Sequence, residues 1–139
     1  MRLGVKLLNV GASANSFKQV DLIRVQRGET LDVVFQLVDL DQDGLRYMPA
    51  AGATVQVQIL RQISILPADR NQRVTTDPTI DRPADVAFAG DTSIYKLPLI
   101  AADTMALVSN SIRVVLTEGS NVKIATLSQA IKCIDTQEF

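Results

Sequence analysis

The chain contains no histidine, no tryptophan and a single cysteine, Cys133, among its 139 residues. Without histidine the commonest general base and the commonest transition-metal ligand are missing, so Ser-His-Asp and Cys-His catalysis are excluded. One cysteine forms no intrachain disulfide and leaves thiolate zinc sites without ligands, as expected of a chain kept in a reducing cytosol. Aromatics are scarce, with two Tyr and four Phe, too few for the stacking platforms of a sugar-binding cleft. No apolar run approaches the ~18–20 residues of a membrane-spanning helix. The first eight residues are too short an apolar run for a secretory signal, and Lys6 interrupts them. There is no G-x-G-x-x-G or G-x-x-x-x-G-K phosphate loop. Fourteen Lys and Arg are balanced by fifteen Asp and Glu, a net charge of −1 scattered along the chain. A nucleic-acid binder concentrates basic residues on one face, so no such partner is expected here.

What the chain has is alternation. Val, Ile, Leu and Ala make up most of an apolar content of 47%. From Leu31 onward, Leu31, Val33, Phe35 and Leu37 point one way while Asp32, Val34, Gln36 and Val38 point the other, the period of a strand with one face in a core. A second clean run places Val55, Val57 and Ile59 opposite Thr54, Gln56 and Gln58, and a third places Ile112, Val114 and Leu116 on one face. These nine inward residues, Val33, Phe35, Leu37, Val55, Val57, Ile59, Ile112, Val114 and Leu116, are the expected core. The first two runs read as adjacent antiparallel strands joined by a long polar connection through Asp39-Leu40-Asp41-Gln42-Asp43-Gly44. Asp side chains bond their own backbone there, and Gly44 accepts a positive φ.

Other segments follow the same logic. Residues 3–8 alternate weakly, and 20–26 read as one strand before a turn at Arg27 and Gly28. Residues 92–99 read as a strand ending near Pro98, which lacks an N–H and suits a strand end or edge. Residues 101–108 suit one or two helical turns, and 118–121 form a hairpin turn into 122–126, with 127–134 continuing or bending away. Two stretches have no period: 9–19, which is small and polar and reads as a mobile arm, and 62–91, with Pro67, Pro78 and Pro83 and many Asp and Arg. A structureless loop of ~30 residues is improbable in a compact domain. The second stretch therefore reads as an excursion, with short strands near 72–76 and 85–88 or with order supplied by a neighbouring subunit; a partly ordered surface loop is the plain alternative. Six to eight short strands and at most one short helix near 101–108 predict an all-β fold. The chain reads as a single domain over 1–139, an antiparallel β-sandwich of immunoglobulin-like type, with a small barrel as the alternative.

Few side-chain clusters suggest chemistry. Asp39, Asp41 and Asp43, followed by Gly44, match the first half of a calcium loop, in which alternate carboxylates converge on one hard cation. The twelfth position is Ala50 rather than Glu, so the bidentate ligand is missing and a solvated turn is the plainer reading. Asp77, Asp81, Asp85 and Asp91 offer paired carboxylates of the kind glycosidases use, but only Phe88 and Tyr95 are nearby to stack a sugar, and turn chemistry with solvated charge is the plainer reading. Arg70, Arg73 and Arg82 interleave with Asp77 and Asp81, which suits contacts with a partner, although a solvated loop is the plainer reading. No catalytic residue and no cofactor are expected.

Gly28-Glu29-Thr30, the alternating strand through Asp39, the Asp43-Gly44 turn and the strand opened by Gly52-Ala53-Thr54-Val55 together resemble a pattern in tailed-phage virion proteins. It is similar to the Ig-like N-terminal domain of baseplate upper proteins and related tail modules. The resemblance covers about a quarter of the chain. Asp103-Thr104-Met105-Ala106-Leu107 and the Glu118-Gly119 hairpin resemble phage structural proteins more loosely. It implies a non-enzymatic virion component, a tail or baseplate adaptor made in the host cytoplasm and present in many copies beside other phage structural proteins. A capsid decoration protein and a soluble ligand-binding β-module are the alternatives. Neither nucleic acid nor membrane is an expected partner, and the arm 9–19 and the excursion 62–91 are expected to hold the neighbours.

Overall fold

A computed structural model describes residues 1–10, 17–61 and 78–134. Among them the chain forms eleven strands and one short helix, arranged as two sheets face to face. The first sheet has the order β2-β1-β4-β9-β8, from β2 (Phe17–Val20), β1 (Leu3–Val10), β4 (Leu31–Asp39), β9 (Asp91–Leu99) and β8 (Asp85–Phe88). The two-residue β5 (Leu45–Arg46) pairs with the far end of β4. The second sheet has the order β3-β11-β10-β6-β7, from β3 (Ile23–Gln26), β11 (Asn121–Ile134), β10 (Ser109–Glu118), β6 (Thr54–Arg61) and β7 (Ile80–Pro83). Every pairing is antiparallel except β3 with β11. The fold is an all-β sandwich, and α1 (Ala101–Met105) lies where one short helix was expected.

The inward faces of the two sheets make one aliphatic core. All nine expected core residues are in it and none is more than 3% exposed. Phe35 is fully buried and stacks on Tyr95, with ring centroids 6.0 Å apart. β4 is central in its sheet, so its other face is covered too. Val34 is buried there with Leu8 and Ile94, under Ala87 and Phe88 of β8.

The structure corrects two readings of neighbourhood. The Leu31 and Thr54 strands are not adjacent: β4 sits between β1 and β9 in one sheet, and β6 between β10 and β7 in the other. Residues 20–26 are not one strand either. β2 ends at Val20, the chain crosses between sheets at Asp21 and Leu22, and β3 begins at Ile23 in the opposite sheet. A matching switch occurs at Ala84, between β7 and β8, so both lateral sides of the sandwich carry a strand that changes sheet.

Of the stretch 9–19, Asn9 and Val10 end β1 while Phe17, Lys18 and Gln19 begin β2, paired as a hairpin, and 11–16 lie outside the described residues. Of 62–91, residues 62–77 lie outside them, including the strand expected near 72–76. The strand expected near 85–88 is β8, and Ile80 of β7 is buried in the core.

Candidate interaction surface

The two ends of the sandwich are built differently. At one end β9 leaves its sheet at Leu99, passes through α1 and enters the other sheet as β10, while β3 crosses the opposite way into β4 through a turn at Gly28. That turn needs a positive φ, and Gly28 supplies one of +89°. The two crossings are laced together by long-range hydrogen bonds. The Arg27 guanidinium donates to the carbonyls of Met105, at 2.8 Å, and Leu107, at 3.1 Å. The Gly28 N–H donates to Thr104 Oγ1 at 3.0 Å, and that hydroxyl donates in turn to the Glu29 carbonyl at 2.8 Å. Thr104 is fully buried, and its carbonyl accepts from Cys133 Sγ. A buried hydroxyl costs stability unless it is bonded, and here the turn and the helix satisfy it together.

Arg82 ties β7 to the same end. Its Nη2 donates to Asp103 Oδ1 in α1, and Nη1 donates to the Pro98 carbonyl at 3.4 Å. Asp103 also accepts from the Ile100 N–H at 2.9 Å, closing the first turn of α1. Burial pushes the Asp103 carboxyl up, but the Arg82 hydrogen bond, the Ile100 N–H and the Arg82 charge together hold it below the usual aspartate range.

The chain leaves the described residues at Val10, Arg61 and Ile134 and re-enters at Phe17 and Pro78. All five lie at this laced end: Val10 pairs with Phe17 level with the start of β4, Arg61 pairs with Asn110 at the start of β10, Pro78 precedes Thr79, whose N–H donates to the Ile59 carbonyl, and Ile134 pairs with Gln26. The two aperiodic stretches of the sequence are therefore anchored on the same end of the sandwich. Sequence reasoning found the stretches but not their common end, which is a property of the topology.

The opposite end carries the acidic turn. Asp39 caps a single 3-10 turn, Leu40–Gln42, by accepting from the Asp41 N–H at 2.9 Å. Asp41 faces the Met1 amino group at 3.6 Å, and Asp43 adopts a positive φ of 56°. Among the described residues no three acidic or thiol side chains converge as a metal site would require. Asp39 caps the turn, Asp41 faces the amino group, and Asp43 holds the left-handed turn position with its backbone. Beside them Tyr47 Oη donates to Glu118 at the end of β10, and the Ala50 N–H donates to the same carboxylate at 2.9 Å.

Of the residues expected to meet a partner, Arg70, Arg73 and Asp77 lie outside the described residues. Asp81 and Arg82 sit side by side on β7 with opposite orientations. Asp81 accepts from Gln56 Nε2 at 2.7 Å and Gln58 Nε2 at 3.4 Å on the outer face of the second sheet, whereas Arg82 is committed to α1. Asp85 begins β8 opposite Lys96, and Asp91 begins β9 opposite Phe88. Asp91 is held below the usual aspartate range by the Ser93 hydroxyl first, against burial, with the Ser93 N–H and Arg46 adding to the effect. A scan against protein-family models finds no match to this chain, and a search of curated proteins finds none.

Proposed function

We propose that the chain is a non-enzymatic structural component of a tailed bacteriophage particle, an Ig-like adaptor of the tail or baseplate held by subunit contacts. The observation that carries this reading is the common anchoring of the stretches 11–16 and 62–77 on one laced end of the sandwich. A scaffold whose aperiodic segments spring from one end presents them together to a neighbour, and segments without a periodic apolar pattern suit a partner's surface better than the core of the isolated fold. The resemblance of residues 28–59 to tail modules supports the same reading. Arg70, Arg73 and Asp77, interleaved in the sequence before β7, suit register-setting contacts with a charged neighbour.

The deletion that tests this reading must stop short of Pro78, because Ile80 is a core residue and β7 and β8 close one side of the sandwich. Residues 63–76 are replaced by a short Gly-Ser linker. Circular dichroism is measured on the isolated protein, and incorporation is measured in purified particles. The expected result is a folded protein with a melting temperature close to wild type and reduced incorporation. Normal incorporation of the shortened protein, or absence of the wild-type protein from purified particles, overturns the proposal.

A further inference from the structure

Among the described residues the sandwich is closed along most of both sides, but one seam is open. β2 pairs with β1 only over Leu7 to Val10, so residues 3–6 of β1 have no strand on that side among the described residues. β3 pairs with β11 only over Ile131 to Ile134, so residues 121–128 of β11 likewise have no described strand on their far side. The two bare edges flank the same groove, about 600 Å3 in volume. A bare edge is normally guarded by proline, by several charges or by a covering loop. This half of β11 has no proline and one charge, Lys123, and it exposes Val122 and Ile124 by 56% and 57%. Leu40, 43% exposed, forms the opposite apolar lip.

Charge selects the occupant. Arg2 and Lys6 line the groove, no carboxylate does, and neither cation has an ion pair among the described residues. On the neighbouring turn Asp41 faces the Met1 amino group and Asp39 caps the turn. We infer that the seam between β1 and β11 takes an extended, acidic segment of a partner protein, added as a strand to the free edge of β11. Main-chain hydrogen bonds to that edge supply affinity, Ile124 receives apolar side chains on one face of the added strand, and Arg2 and Lys6, across the groove, select for carboxylates at the alternate positions. The inference rests on the seam alone and stands whether or not the chain is carried in a particle.

The test uses the full chain labelled with 15N and two capped synthetic peptides of about eight residues, enough to span this half of β11. One alternates valine with glutamate and the other valine with lysine. The expected result is amide shifts confined to residues 3–6 and 121–128, with the glutamate peptide binding at least about tenfold more tightly than the lysine peptide. In the double variant R2E/K6E, whose changes lie on exposed or half-buried side chains, the preference inverts. Equal binding of both peptides, an unchanged preference in the double variant, or no shifts at the seam overturns the inference. So do seam resonances that move with protein concentration in the absence of peptide, because the occupant would then be a second copy of this chain.

Discussion

Tyr47 Oη donates to both carboxylate oxygens of Glu118, at 2.7 and 2.8 Å, and so pins the segment after β5 to the last residue of β10 across the gap between the sheets. The hydrogen bond to Glu118 comes first among the causes that push the Tyr47 hydroxyl up to about 12; burial and the nearby negative charges of Glu118 and Asp39 follow. A phenol whose pKa is raised on folding contributes stability that is whole below the unfolded value near 10 and is lost as pH climbs toward 12. Tyr47→Phe should lower stability by about 1–2 kcal/mol at neutral pH. It should also flatten the fall in stability between pH 10 and 12, although Tyr95, raised by burial first, leaves part of that fall in place. Urea melts of both proteins across this range are the measurement, and parallel pH profiles would sink the assignment.

The pair of Arg82 and Asp103 makes the converse prediction. The Asp103 carboxyl is held below its usual range in the fold. Its contribution is therefore present above the unfolded pKa near 4 and disappears as pH falls through the lower folded value. Arg82→Met should destabilise the protein at pH 7 and show a shallower loss of stability between about pH 4 and pH 2 than wild type. Because the Arg82 side chain is 39% exposed, the neutral-pH effect should be modest, about 1 kcal/mol. A loss above about 3 kcal/mol would mean that Arg82 holds α1 in place by more than this pair.

Phe35 tests the core. It is fully buried and stacked on Tyr95, so Phe35→Ala should cost about 3–5 kcal/mol, most of a small domain's stability. Phe35→Leu, which keeps most of the volume, should cost less than half of that. Equal losses would show that ring stacking, rather than filled volume, sets the energy at this position.

The residues that were legible in the sequence and those that were not differ in a physical way. Period-two alternation identifies which side of a strand is buried, and Val33, Phe35, Leu37, Val55, Val57 and Ile59 are all inside. It does not identify the neighbouring strand, because a face buried against the opposite sheet reads the same whichever strands flank it; that is why β4 and β6 looked adjacent. Alternation also fails where a strand is central. Val34 and Val38 belong to the nominally outer face, yet they are 5% and 2% exposed. The bonds between Gly28 and Thr104, between Arg27 and Leu107, and between Tyr47 and Glu118 join residues some 70 to 80 positions apart, where no local pattern signals them. The acidic turn was legible as a turn. That Asp39 caps it while Asp41 faces the Met1 amino group is something no spacing rule reveals.

Gly4 provides a test of the seam's outer lip. A Cβ built on Gly4 would lie 2.8 Å from Leu40 Cδ2 and 2.9 Å from Val38 Cγ2, closer than carbon atoms approach without a shift. The backbone there is ordinary strand, so the cost of Gly4→Ala is steric. The substitution even carries a favourable backbone contribution of about 0.5–1 kcal/mol, since alanine loses less freedom on folding than glycine. The two neighbours respond differently. Leu40 is 43% exposed and free to swing outward, whereas Val38 is 2% exposed and stiff at χ1. The net effect should be a loss of about 1–2 kcal/mol, set mainly by Val38. In a Leu40→Ala background the same substitution should cost slightly less, and in a Val38→Ala background it should cost little or nothing. A double-mutant cycle by urea denaturation measures both couplings. If Gly4→Ala is neutral or stabilising in the wild-type background, the packing of Val38 and Leu40 over Gly4 is looser than these distances require.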